Sequence, residues 1–139
     1  MAPVEPIVIS RVVDADPEAA WAAITEPGEV ARWFTTALPV LGVGAPYRLE
    51  FGDSVVKGFV TELEPGRRFS HTWHWADQLP GQETLVTWEI APTSDGDGAV
   101  VTLTHGGWAE AAADQATRDD HAGYWEDHLD ALAELLASD

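Results

Sequence analysis

Four histidines stand where the sequence pattern predicts side chains that face the interior: His71, His105, His121 and His128. A neutral imidazole, with an ordinary pKa of about 6.5, can transfer a proton, bind a metal or donate a hydrogen bond to a backbone carbonyl. A general base would need such a ring in a cavity and within reach of a substrate. His71, His128 and His121 are therefore the candidate catalytic residues, and a structural hydrogen bond is the alternative role for His105 and His121.

Metal and nucleophile chemistry finds less support in the spacing of the residues. Zinc needs three or four ligands that converge in space, and the histidine pairs in the predicted strand and helix do not provide them locally. Asp95 and Asp97 lie beside glycines but lack the later glutamate of a calcium loop, so they predict a hairpin turn. No Ser-His-Asp spacing or phosphate-binding glycine loop stands out. We therefore predict neither a bound metal nor a cofactor.

The end of the chain has apolar and imidazole side chains at spacings of three and four, which predicts a long helix with one buried face. That face consists of His121, Trp125, His128, Leu129, Leu132, Leu135 and Leu136. The opposite face is acidic and consists of Asp119, Glu126, Asp127, Asp130 and Glu134. Such a helix packs its apolar face against another layer of the fold, and the histidines on that face could border a space for a ligand.

The segments before this helix read mostly as strands. Residues 7–15 predict a first strand, and Asp16 with Pro17 then predicts the start of a short helix, followed by a second over residues 29–34. Residues 35–46 are rich in proline and glycine and predict a mobile flap. Five further strands alternate polar and apolar residues, and one of them turns Phe69, His71, Trp73 and Trp75 inward. The predicted order is β-α-α-β-β-β-β-β-α, with about six strands.

Composition limits the class of protein. The chain has 139 residues, which fits one domain over residues 1–139, and it has no cysteine, which excludes disulfides and thiolate metal sites. Asp and Glu number 24 against 7 Lys and Arg, for a net charge of −17. This charge disfavours nucleic acid as a partner. No apolar run is long enough for membrane insertion, and the opening lacks a secretion signal, so we expect a cytoplasmic protein.

Several segments resemble the START-like helix-grip superfamily (SRPBCC domains), in the branch of bacterial homologues of the heat-shock chaperone ATPase activator. The matching segments are residues 16–21, 30–34, 64–69, 72–75, 103–105 and 121–132. The resemblance implies an α+β helix-grip fold, in which a curved antiparallel sheet wraps around the long C-terminal helix. It also implies an apolar cavity between sheet and helix that opens near the two short helices.

From these observations we expect the protein to bind a small, mostly apolar molecule in that cavity. The candidate ligand-binding residues are Trp33, Phe34, Leu38, Leu41, Phe51, Phe59, His71, Trp73, Trp75, Trp88, Leu103, His105, His121, Trp125 and His128. One alternative is a cofactor-free enzyme, of the dehydratase or cyclase kind, that transfers protons through a cavity histidine. The other is a co-chaperone-like interaction module, in which an exposed Trp33-Phe34 pair docks onto a chaperone or onto a second copy in a homodimer.

Overall fold

The computed structural model describes residues 4–37, 42–75, 83–108, 111, 113 and 115–138. The strands are β1 (Ile7–Val13), β2 (Thr36–Ala37), β3 (Pro46–Phe51), β4 (Ser54–Glu64), β5 (Arg68–Trp75), β6 (Thr84–Pro92) and β7 (Ala99–Gly106). The helices are α1 (Pro17–Thr25), α2 (Pro27–Trp33) and α3 (Gln115–Ser138). The element order agrees with the sequence prediction except for β2.

The strands form one antiparallel sheet in the order β1-β7-β6-β5-β4-β3-β2. The first strand therefore pairs with the last, and each of β3 to β7 pairs with the strand before it. This curled sheet with the long α3 against it confirms the predicted α+β helix-grip class. The seventh strand is β2, whose two residues pair with Leu49 and Glu50 of β3. Two residues are too few to show an alternating pattern, so the sequence predicted only about six strands.

Local sequence explains where the helices begin. Asp16 accepts the backbone N–H of Ala19 at 2.8 Å, and Pro17 occupies the first helical position of α1. The second helix begins at Pro27, two residues before the predicted start, because a proline is equally suited to that first position. These residues set the starts of α1 and α2, which lie between β1 and β2 in the chain.

The apolar face of α3 packs on the sheet, as the spacing of its apolar residues predicted. Trp125, Leu129 and Leu132 are fully buried, whereas the acidic residues of the opposite face are exposed. Arg11 of β1 binds Asp130 at 2.8 Å, and Arg118 donates to the carbonyl oxygens of residues 5 and 6. These polar contacts fix α3 beside the β1 edge of the sheet. None of the helices within the described ranges is long and apolar enough to cross a membrane.

The predicted flap is in part a fixed element. Besides the strand at Thr36–Ala37, Gly44 donates its N–H to the Val60 carbonyl at 2.7 Å, and Val60 donates to the Ala45 carbonyl at 2.9 Å. The chain on both sides of residues 38–41 is therefore tied to the sheet. Leu38 and Leu41, two predicted ligand contacts, lie outside the described residues.

Candidate functional site

The space between the sheet and α3 is occupied by aromatic side chains. Trp73 of β5 lies 5.2 Å from Trp125 of α3, and Trp88 of β6 lies 5.6 Å from the same ring. Trp73, Trp88, Trp125, His71 and His105 all have 2% or less of their surface exposed. A side chain that lined an empty hollow would keep accessible surface, so these rings pack against one another. The predicted cavity does not reach them in this structure.

His71 is held as a neutral ring by two hydrogen bonds. Trp88 donates its indole N–H to Nε2 of His71 at 3.2 Å, so Nδ1 carries the proton and donates to the Thr72 carbonyl at 3.1 Å. Tyr47 stacks on the imidazole at 3.7 Å. Burial lowers the pKa of His71 to about 3, against the weaker opposing effect of the Thr72 carbonyl. A ring so enclosed and so weakly basic is poorly suited to the catalytic role predicted for it.

His105 lies at the centre of a second network. Trp125 donates its indole N–H to Nδ1 of His105 at 3.0 Å, and Nε2–H then donates to the Thr84 hydroxyl at 2.7 Å. Burial, together with the nearby His121 and His71, lowers the pKa of His105 well below its ordinary value. The network joins α3, β6 and β7, which supports the structural role considered for this histidine.

His121 has the same arrangement nearer the surface. Trp75 donates its indole N–H to Nε2 of His121 at 3.1 Å, and Nδ1–H donates to the Thr117 carbonyl at 2.8 Å. Three indole–imidazole pairs therefore connect the secondary structure elements: Trp88 with His71, Trp125 with His105, and Trp75 with His121.

His128 belongs to a closed ring of four aromatic side chains. Phe34 contacts Phe51 at 5.4 Å, Phe51 contacts Tyr124 at 6.0 Å, Tyr124 contacts His128 at 4.4 Å, and His128 contacts Phe34 at 4.8 Å. Burial lowers the pKa of His128, and its Nδ1 lies 3.4 Å from the Trp33 carbonyl oxygen. This aromatic ring joins the end of α2, the end of β3 and α3.

A pocket of about 310 Å³ opens beside this ring, between the ends of the strands and the first turns of α3. Its walls are Phe51, Ser54, Trp75, Asp120, His121 and Tyr124. Aromatic carbon dominates the wall, and a hydroxyl and a carboxylate provide polar groups at its rim. The pocket therefore combines an apolar wall with a few polar groups, as small-molecule pockets usually do.

One polar group under this pocket has no partner. The indole Nε1 of Trp73 is buried and finds no acceptor among the described residues. A buried donor left without a partner costs about 1–3 kcal/mol, so such groups are uncommon in folded proteins. The Trp73 ring lies 5.7 Å from Trp75 and 6.3 Å from His121, both of which line the pocket.

The structure separates the predicted ligand contacts into groups. Phe51, Trp75 and His121 line the pocket, Trp73 lies beneath it, and Phe34 and His128 contact its lining residues. The others inside the molecule belong to the packed core: Trp33, His71, Trp88, Leu103, His105 and Trp125.

Phe59 requires a correction, because it is 59% exposed on the outer face of β4. The next residue, Val60, is buried, so the alternation of the strand places Phe59 on the side away from α3.

One further expectation about the site was wrong. Trp33 is only 6% exposed and donates its indole N–H to the Ala23 carbonyl at 2.8 Å, so the Trp33-Phe34 pair is not an exposed docking patch. The pocket beside α3 opens at the ends of β3 and β5, and a different pocket lies along α1. Tyr124 was missed, although it lies three residues after His121 and four before His128 and therefore on the same side of α3.

A larger pocket of about 440 Å³ lies elsewhere, along α1 and the end of β4. Its wall includes Glu18, Trp21, Glu26 and Leu63 but no histidine and no buried unpartnered donor. Its position outside the space between the sheet and α3 makes it a weaker candidate. Within the described part of the chain, no three histidine or carboxylate side chains form a group that could hold a metal ion.

Comparison with solved structures supports the fold. MLL2253 from Mesorhizobium loti superimposes with a TM-score of 0.81 at 23% identity, over 96% of this chain and 98% of that one. DynU16, a protein in the dynemicin biosynthetic locus, gives 0.83 at 24% identity over 97% of this chain. The chain spans about half of DynU16, 48% of its length. The Aha1 dimer from Colwellia psychrerythraea gives 0.78 at 21% identity, over 95% of this chain and 96% of that one.

Sequence comparison identifies the family. A comparison with curated protein sequences finds no match. The family model described as "Activator of Hsp90 ATPase homolog 1-like protein" matches residues 14–137. This range runs from the cap of α1 almost to the end of α3 and includes every residue that lines the pocket. Since the match covers nearly the whole chain and the solved structures share its helix-grip fold, the chain belongs to the Activator of Hsp90 ATPase homolog 1-like family.

Proposed function

We propose that the protein binds a small, mostly apolar ring compound in the pocket between the strand ends and α3. The observation that carries this proposal is the wall itself, in which Phe51, Trp75 and Tyr124 line an open pocket of about 310 Å³. This volume is at the low end of the range of about 300–1,000 Å³ for small-molecule pockets, so it suits one or two fused rings. Contact of those rings with aromatic side chains would supply the binding free energy, because it removes apolar surface from water.

The charge of the chain restricts the ligand further. A net charge of −17 and the carboxylate of Asp120 at the rim both disfavour an anion. The apolar wall in turn favours an uncharged compound over a cation, with specificity from shape and from a small number of hydrogen bonds.

Affinity for tetralin, an uncharged bicyclic hydrocarbon, tests this proposal. Tyr124 is 42% exposed, so Tyr124→Ala should fold normally while it removes one wall of the pocket. We expect tetralin to bind about three- to tenfold more weakly to this variant, the loss typical of one aromatic contact. Phe59→Ala is the matched control, because it removes an exposed aromatic ring outside the pocket. Equal affinities for both variants and the unmodified protein would exclude this pocket as the binding site.

A cofactor-free enzyme remains the second candidate, and its base would be His121, the histidine in the wall of this pocket. Both ring nitrogens of His121 are already engaged, by Trp75 and by the Thr117 carbonyl. Proton transfer would require the Trp75 hydrogen bond to break first, which favours binding over catalysis. Turnover of a bound ring compound that His121→Gln abolishes, with binding unchanged, would favour the enzyme instead.

A protein partner is a third possibility, supported by the family description and by the Aha1 dimer among the similar structures. The buried Trp33 removes the docking patch predicted from the sequence, so a chaperone or a second copy would need another surface. Light scattering over a range of concentrations tests the homodimer: a constant monomeric mass would exclude it.

A further inference from the structure

The indole N–H groups of this protein are almost all satisfied, and the exception is informative. Five indoles donate to a described acceptor: Trp33 to the Ala23 carbonyl, Trp75 to His121, Trp88 to His71, Trp108 to the His105 carbonyl and Trp125 to His105. Trp21 keeps part of its surface exposed. Trp73 is 2% exposed, and its Nε1 finds no acceptor among the described residues. A sixth interior indole therefore lacks the partner that the other five possess.

The surroundings of Trp73 leave no spare acceptor on its imidazole neighbours. His105 and His121 contact the Trp73 ring at 5.3 Å and 6.3 Å. The acceptor nitrogen of His105 is taken by Trp125, and that of His121 is taken by Trp75. A partner for Trp73 has to come from outside the described side chains.

The pocket lies next to Trp73, because the rings that line the pocket contact the Trp73 ring. The Trp73 ring contacts three of the rings that line it: Trp75 at 5.7 Å, His121 at 6.3 Å and Phe51 at 6.5 Å. Trp73 therefore lies behind the pocket wall, and its Nε1 is buried. A ring compound in the pocket reaches this donor only when one of these lining side chains moves aside.

We propose that the ligand of this pocket is an uncharged aromatic ring compound with a carbonyl oxygen that accepts the Trp73 Nε1–H. This inference rests on the proposed function and adds the chemical class of the ligand. A carbonyl oxygen is favoured over a hydroxyl because it brings no further donor into a region whose imidazole acceptors are used. It is favoured over a carboxylate because of the net charge of −17 and the nearby Asp120.

Three matched probes test the proposal: 1-tetralone, an uncharged bicyclic ketone; tetralin, the same frame without oxygen; and 1-naphthoate, a carboxylate. We expect 1-tetralone to bind the full-length protein about three- to tenfold more tightly than tetralin, the gain typical of one hydrogen bond. In ¹⁵N-labelled protein, the Trp73 indole N–H signal should move downfield with 1-tetralone and not with tetralin. 1-Naphthoate should bind more weakly than the ketone.

Trp73→Phe removes the donor and keeps an aromatic ring, so it should reduce the ratio of the two affinities to about one and assign the indole signal. If the variant fails to fold, Trp75→Phe identifies the indole signal of Trp75, which lies in the pocket wall. A downfield shift of another indole signal in the unmodified protein, with 1-tetralone and not with tetralin, then decides alone. Equal binding of 1-tetralone and tetralin, or an indole signal that stays fixed at saturation because water already accepts it, would overturn the carbonyl assignment and leave the proposed function standing. Failure of all three probes to bind would overturn both.

Discussion

Trp125 of α3 donates its indole N–H to Nδ1 of His105 in β7, over 3.0 Å. The bond fixes the rotation of α3 about its axis, because only one orientation brings the indole nitrogen to the imidazole. It also determines which imidazole nitrogen carries the proton, and therefore that His105 donates to Thr84 at 2.7 Å. A helix–sheet contact and a strand–strand contact thus depend on the same neutral ring.

Trp125→Phe tests the first half of this relationship. The variant leaves His105 Nδ1 without its donor and opens space in the core, so we expect the free energy of unfolding to fall by about 2–3 kcal/mol. Trp21→Phe is the matched control, since Trp21 is partly exposed and has no hydrogen bond from its indole in the described structure; its loss should be under about 1.5 kcal/mol. Urea unfolding measures both, and equal losses would contradict the role of the Trp125–His105 bond.

Thr84→Val tests the second half. Valine keeps the volume of threonine but leaves the Nε2–H of His105 buried without an acceptor, which should cost about 1–3 kcal/mol. Thr104→Val is the control, because Thr104 lies on the outer face of β7 and its hydroxyl has no hydrogen bond within the described residues. We expect that change to stay within about 0.5 kcal/mol. A similar loss in both variants, measured by urea unfolding, would assign the effect to valine and not to His105.

The buried neutral histidines make stability depend on pH. Burial lowers the pKa of His71 to about 3, whereas the unfolded ring titrates near its ordinary 6.5. Between these values the unfolded state binds more protons than the folded state. The contribution of His71 to the free energy of unfolding is therefore fully present above pH 6.5. It falls as the pH decreases toward 3, by up to about 1.4 kcal/mol per pH unit. Urea unfolding at several pH values between 7 and 5 should show this loss. His71→Gln should reduce the slope, and an unchanged slope would show that His71 is not responsible.

The close approach of β4 and β5 predicts a strict requirement for Gly58. A Cβ at this position would overlap the carbonyl oxygen of Thr72 on the neighbouring strand, so Gly58→Ala should separate the strands and destabilise the fold by more than about 2 kcal/mol. Gly28→Ala, in α2, meets nothing within 4 Å and should be neutral or stabilise by up to about 1 kcal/mol. Thermal unfolding followed by circular dichroism compares the two variants. A Gly58→Ala protein as stable as the unmodified one would show that β4 and β5 do not lie this close together at Gly58.

The buried faces could be predicted from the sequence because helix and strand periods determine them directly. The spacing of Trp125, Leu129 and Leu132 identified the buried face of α3. The positions of His71 and Trp73, two residues apart, identified the inner face of β5. The pairing of Trp88 with His71 could not be predicted, because it depends on the register between β5 and β6, which places His71 opposite Val86. The extent of the pocket depends on how completely large rings fill the interior, and no single element reveals that. Tyr124 was therefore missed and the core aromatic residues were predicted as ligand contacts.

A chemical-shift map with 1-tetralone tests the location of the ligand site most directly. Two-dimensional ¹H–¹⁵N spectra of the full-length protein, recorded through saturation, report which residues the probe approaches. We predict saturable shifts centred on the residues that line the pocket: Phe51, Ser54, Trp75, Asp120, His121 and Tyr124. Shifts centred instead on Trp21 and Leu63 in the pocket along α1, or no saturable shift at all, would contradict ligand binding between the sheet and α3.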